Sequence, residues 1–149
     1  MPARAAKAVD DDEDFPLIQS AHQLGKPPEL RKEEVKFPDW ERADGGRGVK
    51  FLEWELTGGE WAEMVDSGWT YKDGRRDEYN SKDEDVRFLA HTTRDQRRTR
   101  IWLTVEDAKA ALRDLGKADM KRLADAANKA NSVKPGSAEK NSETTPSVS

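Results

Sequence analysis

The residues that decide the fold run from Asn80 to Asn131 and read NSKDEDVRFLAHTTRDQRRTRIWLTVEDAKAALRDLGKADMKRLADAANKAN. Apolar residues in this stretch recur at spacings of three and four, which is typical of helices that bury one face. Capping patterns open the first two segments at Ser81 and Thr104, and Gly116 stands where a left-handed C-cap would end the second. The stretch therefore predicts three short helices in a row.

Each predicted helix has an apolar stripe, and the spacing leaves open whether a stripe packs into the core or contacts a partner. The stripes consist of Val86, Leu89, Ala90 and Thr93 in the first helix, Val105, Ala108, Leu112 and Leu115 in the second, and Met120, Leu123, Ala124 and Ala127 in the third. Between the first two helices, Asp95–Thr99 predicts a turn. Arg100–Leu103 predicts a short extended piece that inserts Ile101 and Trp102.

The preceding segment predicts β-structure. Two candidate strands, Glu34–Phe37 and Val49–Leu56, are joined by a loop that contains Gly45, Gly46 and Gly48. Side chains alternate between the two faces of a strand. The more apolar face of the second strand, which we assign to the core, consists of Leu52, Trp54 and Leu56. An isolated two-stranded hairpin is marginal in water, so this one is expected to pack on the helices.

A further helix is predicted between the hairpin and the three-helix stretch. Thr57-Gly-Gly-Glu60 is a capping box, and the helix that follows turns Trp61, Met64 and Val65 inward. The segment Trp69–Asn80 is polar and contains a Lys-Asp-Gly turn signal, so it is interpreted as a surface excursion.

Composition limits how much of the chain packs into a core. Hydrophobic residues make up 34% and charged residues 38% of the 149 residues, so the core is small for the length. We predict a flexible N-terminal arm over residues 1–32 and a disordered tail over residues 132–149. Between them, residues 33–131 form one α+β domain in which a β-hairpin packs on about four short helices.

The sequence contains no constellation suited to catalysis or metal binding. There is no cysteine, and the two histidines, His22 and His91, lie far apart in the chain. The loop Gly45–Gly48 lacks the Lys-Ser/Thr ending and the following helix of a phosphate loop. No run is long and apolar enough to span a membrane. We therefore expect a cytoplasmic protein that is not an enzyme and has no cofactor.

Two features point to protein partners. Four arginines surround the predicted turn at residues 94–100, and three interpretations stay open for them: a solvated turn, an acidic protein partner, or phosphates of nucleic acid. The net charge of −4 argues against attraction of the whole surface to nucleic acid. Five tryptophans are many for so small a core, and tryptophan is enriched in interfaces. The candidate partner-binding residues are Trp61, Trp69, Arg97, Arg98, Trp102, Leu112, Met120 and Leu123.

The order of several short phrases resembles a known family. They are a Val-x-Phe-Pro-x-Trp strand at Val35–Trp40, Glu-Leu-Thr-x-Gly-Glu at Glu55–Glu60, DVRFLA at Asp85–Ala90, IWLTVEDAKAAL at Ile101–Leu112, and a last helix with Arg-Leu-x-x-Ala-Ala at Asp119–Asn131. This series is similar to the tail assembly chaperones of long-tailed (siphovirus-like) bacteriophages. The similarity covers most of the predicted domain, with Trp69–Asn80 as a local insertion.

The resemblance implies a non-catalytic assembly factor. Such chaperones bind the long, helical tape-measure protein, promote polymerisation of the tail-tube protein around it, and are absent from the mature virion. Many are made in two lengths by programmed frameshifting. The partners expected from the resemblance are thus the tape-measure protein and the tail-tube protein, in the host cell cytoplasm, and self-association is left open.

Two alternatives come from other functional classes. One is a minor phage structural protein, such as a head–tail connector or tail component, which would stay in the virion. The other is a small regulator that binds nucleic acid through Arg94–Arg100.

Overall fold

The computed structural model describes residues 15–132 of the chain. Within that range the chain forms antiparallel strands and four α-helices, so the predicted α+β fold is confirmed. The acidic run of the predicted arm and nearly all of the predicted disordered tail lie outside the described residues. The described part of the arm is mostly exposed and contains one 3-10 turn, Ala21–Gln23.

The main sheet is the predicted hairpin with a third, very short strand added. Strands β1 (Lys32–Glu41) and β2 (Arg47–Trp54) pair antiparallel, with Val35 opposite Phe51. Gly45 in their loop and Gly48 at the start of β2 both have positive φ angles, so glycine is the favoured residue at these positions.

Four helices pack on or beside this sheet. They are α1 (Gly58–Asp66), α2 (Glu84–Thr92), α3 (Val105–Leu112) and α4 (Lys117–Asn131). The segment interpreted as a surface excursion is a second hairpin of β3 (Trp69–Lys72) and β4 (Arg75–Tyr79). Its turn places Asp73 and Gly74 in the left-handed region. Strand β5 (Thr93–Arg94) continues directly from α2 and pairs with β2, so the sheet order is β1-β2-β5.

Two of the predicted helix starts are confirmed by their capping contacts. Thr57 and Glu60 form the reciprocal box at α1, with the Glu60 amide donating to the Thr57 hydroxyl at 3.1 Å. The Thr104 hydroxyl caps α3 by accepting from the Asp107 amide at 3.0 Å.

Two other helix boundaries differ from the prediction. Helix α2 begins at Glu84 rather than after Ser81, because Asn80 binds the Asp83 carboxylate at 2.9 Å and holds Lys82 and Asp83 in a turn. Gly116 has φ −62° and is the N-cap of α4, not a left-handed C-cap of α3. The chain already leaves α3 at Leu112, so the glycine belongs to the next helix.

The core lies between the sheet and helices α2, α3 and α4. Its buried members are Val35, Phe37, Leu89, Leu112, Leu123 and Ala127, and Val49, Phe51, Trp102 and Met120 pack against them. The predicted core face is only partly confirmed: Leu56 and Trp54 are buried, but neither they nor the half-buried Leu52 belong to this cluster, which lies on the opposite face of the sheet. Cross-strand pairing decides the face, since Val35 and Phe37 lie opposite Phe51 and Val49.

Trp54 is nevertheless buried, on the other face of the sheet, at 8% exposure. The side chains of Lys32 and Arg98 lie over its ring at 5.1 and 5.3 Å, and its indole N–H donates to the Asp95 carbonyl at 3.0 Å. A cationic cover of this kind stabilises an aromatic ring without a second apolar layer.

The extended piece after the arginine turn inserts one of its two predicted residues. Trp102 is half-buried, with its ring 5.8 Å from that of Phe51. Ile101 is 47% exposed, so its predicted insertion is wrong. Adjacent residues of an extended segment point to opposite sides, and here only the tryptophan side faces the sheet.

Candidate partner-binding surfaces

The residues proposed from the sequence as partner contacts divide into core and surface positions. Leu112 and Leu123 are 3% and 0% exposed and belong to the core, so their assignment to a partner-binding surface is corrected to a packing role. Met120 is half-buried against the same core. Leu112 and Leu123 therefore have no surface to offer a partner unless the domain opens.

The three candidate tryptophans lie in three different places. Trp61 on α1 is 45% exposed, and its ring meets that of Phe88 edge-on at 5.9 Å. Trp69 is half-buried in the second hairpin, with its ring centroid 5.3 Å from that of Tyr79 and the two rings tilted by 54°. Trp102 packs on the sheet as described above. The structure therefore does not bring the three together into one patch.

The arginine turn finds its acidic partner inside the chain. Arg94 and Arg98 both bind the Glu60 carboxylate, at 2.9 and 2.8 Å. Arg94 also donates to the His91 carbonyl, and Arg100 donates to the Ala90 carbonyl at 2.9 Å. Three of the four guanidinium groups are thus held by internal contacts, and the donors used in those contacts are not available to a phosphate backbone.

Glu60 binds Arg94 and Arg98 and also completes the capping box of α1. Burial alone would raise the pKa of its carboxyl, but hydrogen bonds from Arg98 and the Thr57 amide, together with the charge of Arg94, lower that pKa to about 2. The carboxylate is consequently charged at any physiological pH. It fastens the turn at residues 95–99 to α1.

Arg97 differs from the other three arginines. Its side chain is exposed, and within residues 15–132 it forms no hydrogen bond or ion pair. Its backbone amide donates to the Asp95 carboxylate at 2.8 Å, so the side chain projects from an ordered turn. Of the cluster, Arg97 is the member left available to a partner.

A buried polar centre lies beneath α2, and the sequence analysis did not anticipate it. Glu53 is fully buried, and its carboxylate accepts hydrogen bonds from the hydroxyls of Thr92 and Thr93 at 2.8 and 2.7 Å. Burial raises the pKa of Glu53 to about 7, against the effect of both hydrogen bonds. Nearby His91 is also buried, and burial together with neighbouring arginines lowers its pKa to about 4. Neither side chain lines the surface clefts described next.

An apolar cleft of about 260 Å³ opens between α1, α2 and α4, and we call it the helical cleft. Its floor consists of Trp61, Met64, Val65, Phe88 and Ala124. Its rim carries Tyr79, Glu84, Asp85, Arg87 and Asn128. Trp61 was identified from the sequence, whereas Phe88 was not, because it falls outside the predicted stripe of α2.

A larger groove of about 620 Å³ lies between the end of β1 and the α3–α4 connection, and we call it the acidic groove. Its apolar wall consists of Phe37, Pro38, Trp40 and Leu115. Charged side chains at its edges are Asp39, Glu41, Asp114, Asp119 and Arg122. No sequence signal marked this groove, because its two sides are about 75 residues apart in the chain and only the fold joins them.

Two other kinds of site are absent from residues 15–132. No group of three or more histidine, aspartate or glutamate side chains is arranged to hold a metal ion in this part of the chain. Over the same residues, none of the helices combines the length and the apolar character needed to cross a membrane.

Comparison with known proteins adds no relative: no protein-family model, no curated protein and no solved structure matches this chain.

Proposed function

We propose that this chain is a tail assembly chaperone of a long-tailed bacteriophage. In this role it binds the tape-measure protein, promotes tail-tube polymerisation around it, acts in the host cytoplasm and leaves before the virion matures. The proposal rests on the order of sequence phrases from Val35 to Asn131 and on one structural observation. That observation is the helical cleft, whose apolar floor remains open to solvent.

The dimensions of the cleft favour a protein client over a small substrate. Pockets that enclose a small-molecule ligand usually measure about 300–1,000 Å³. At about 260 Å³ and open on one side, the helical cleft suits single side chains that project from a larger partner. A tape-measure protein is a long helix, and an apolar stripe on such a helix supplies side chains of this kind.

Trp61 supports the same interpretation. It is a large aromatic residue, 45% exposed, and it stands edge-on to Phe88 at the floor of the cleft. Tryptophan is among the residues that contribute most to binding when a partner covers them. The cleft is small and open, so it offers a modest contact area, which fits a client that is held and then released as the tube grows.

Co-expression tests the proposal directly. The chain carrying an affinity tag is expressed with the tape-measure protein of the same phage, and soluble tape-measure protein is measured with and without it. Trp61→Ser should reduce the co-purified client at least fivefold, since a buried aromatic anchor contributes about 2 kcal/mol or more to an interface. Leu103→Ser is the matched control, because Leu103 is 71% exposed and does not line the cleft.

Two results would contradict the proposal. One is a tape-measure protein whose solubility is unchanged by the chain. The other is stoichiometric presence of the chain in purified virions by mass spectrometry, which would favour the minor structural protein instead.

A further inference from the structure

The acidic groove is separate from the helical cleft, and the two lining sets share no residue. One wall is the bulged end of β1, where the register with β2 is interrupted between Phe37 and Glu41. The other wall is the connection that leads into α4. Trp40 is half-buried there, with its ring 5.6 Å from Phe37 and 5.3 Å from Phe51. The core therefore holds the indole from behind and leaves part of it facing the groove.

The charged side chains along this apolar wall are mostly negative. Among the described residues, four carboxylates edge the groove and Arg122 is the one cation that lines it. Arg122 is itself engaged, because it pairs with Asp119 at 3.6 Å and donates to the Lys36 carbonyl. The remaining three carboxylates are Asp39, Glu41 and Asp114. Within residues 15–132, their one ion pair joins Asp114 to Arg113 at 3.9 Å, between two well-exposed side chains.

The groove already holds one guanidinium group in the way that it would hold another. The Arg122 guanidinium lies over the Phe37 ring, 4.7 Å from its centroid, while its charge faces Asp119. Attraction between a cation and an aromatic face thus combines with a carboxylate contact at a single side chain. Trp40 lines the same groove as Asp39 and Glu41, and within the described part of the chain no cation lies over its ring.

From this complementarity we propose that the acidic groove is a docking surface for an arginine- or lysine-rich peptide segment of another protein. Aliphatic side chains of that segment rest on Leu115 and Pro38. One of its cations lies over Trp40, and the flanking cations pair with the free carboxylates. The site is independent of the tape-measure contact proposed for the helical cleft, so either assignment stands without the other.

Binding of a defined peptide tests this. The probe is a twelve-residue peptide with free ends blocked, in which arginine alternates with leucine, and the comparison peptide has glutamate in place of arginine. The peptide is titrated into the full chain at low and at moderate salt. Binding is measured by calorimetry and by ¹H–¹⁵N spectra. The Trp40 indole signal is assigned from its loss in Trp40→Phe.

The expected result is binding of the arginine peptide alone, with the spectral changes centred on Trp40, Leu115 and Gly116. The groove variant Asp39→Asn, Glu41→Gln, Asp114→Asn should bind about tenfold more weakly, since each exposed pair contributes only modestly. The control variant removes the same charge from the second hairpin, by Asp73→Asn, Asp77→Asn and Glu78→Gln. It should change the affinity less than about twofold.

Three outcomes would overturn the proposal. Equal weakening by both variants would mean attraction to the overall charge. Spectral changes centred on Trp61 and Phe88 would place the peptide in the helical cleft. Absence of saturable binding at millimolar peptide would exclude a docking surface of this chemistry. The six charge-removing substitutions are all at exposed positions, so neither variant is expected to lose its fold.

Discussion

The buried carboxyl of Glu53 makes the stability of this protein depend on pH in a direction opposite to the usual one. The side chain is fully buried on the core face of β2, and burial raises its pKa from 4.5 to about 7. Glutamine at this position keeps a carbonyl that accepts a threonine hydroxyl but does not titrate. We predict that Glu53→Gln becomes more stable relative to the parent as the pH rises from about 4.5 to about 8.

The sign and size follow from proton binding. Between pH 4.5 and about 7 the unfolded chain has released the Glu53 proton while the folded chain still holds it. The folded state then binds more protons, so the parent loses stability as the pH rises. At about 1.4 kcal/mol for each pH unit, the interval from 4.5 to about 7 amounts to about 3 kcal/mol. This loss of stability is complete above the pKa of Glu53 in the folded protein, and it is absent well below pH 4.5.

Urea unfolding followed by tryptophan fluorescence measures this at several pH values, as the difference in unfolding free energy between variant and parent. The comparison with the parent is needed because His91 also makes stability depend on pH. Burial lowers the pKa of His91 from 6.5 to about 4. A buried neutral histidine causes stability to fall as the pH drops through that interval, which opposes the effect of Glu53 in the parent. Both proteins contain His91, so its effect cancels on subtraction.

Glu34→Gln is the matched control, because it removes a carboxylate that is about half exposed on the neighbouring strand, opposite Leu52. It reports the general effect of one fewer negative charge. A difference between Glu53→Gln and the parent that stays constant to within about 0.5 kcal/mol from pH 4.5 to 8 would refute the reasoning. It would mean that the Glu53 carboxyl reaches water in the folded protein.

Two further substitutions probe the packing. Leu123→Asp places a charge at a position that is 0% exposed, which costs several kcal/mol. We therefore expect the variant to lose cooperative unfolding, as measured by circular dichroism. A folded variant would show that the apolar stripe of α4 is not part of the core. Gly68→Ala puts a methyl group 2.6 Å from the Tyr79 ring and 2.9 Å from the Arg87 guanidinium. We expect a cost of about 1–3 kcal/mol in thermal unfolding, whereas Gly58→Ala, with open space around it, should cost nothing; equal effects would contradict the steric explanation.

Features with a local physical cause were predicted correctly from the sequence. The capping box at Thr57 and the N-cap at Thr104 involve atoms within three residues, and the turn near Gly45 and Gly48 depends on backbone angles that glycine favours. The apolar stripe of α4 follows from the helical repeat alone. None of these requires knowledge of where another segment of the chain lies.

The assignment of the strand faces failed for the opposite reason. Counted within the predicted strand Val49–Leu56, the face with Leu52, Trp54 and Leu56 is the more apolar one. The opposite face includes Glu53, which a count of apolar residues rejects from a core. That face is buried because β1 contributes Val35 and Phe37 beside it, and because two threonine hydroxyls satisfy the carboxylate. Both causes are contacts between segments.

The arginine cluster shows how such a contact changes a functional interpretation. In the sequence, four arginines within seven residues predict a cation-rich surface that seeks an anion. The anion is Glu60, 34 residues before Arg94, and the sequence assigned it only a capping role. A carboxylate in a capping box is held rigidly, so it costs little extra entropy to bind two guanidinium groups there. In a chain with so few apolar residues, polar contacts of this kind position the segments that a larger core would otherwise hold. Charge clusters in similar small domains are therefore better tested for internal partners before nucleic acid is considered.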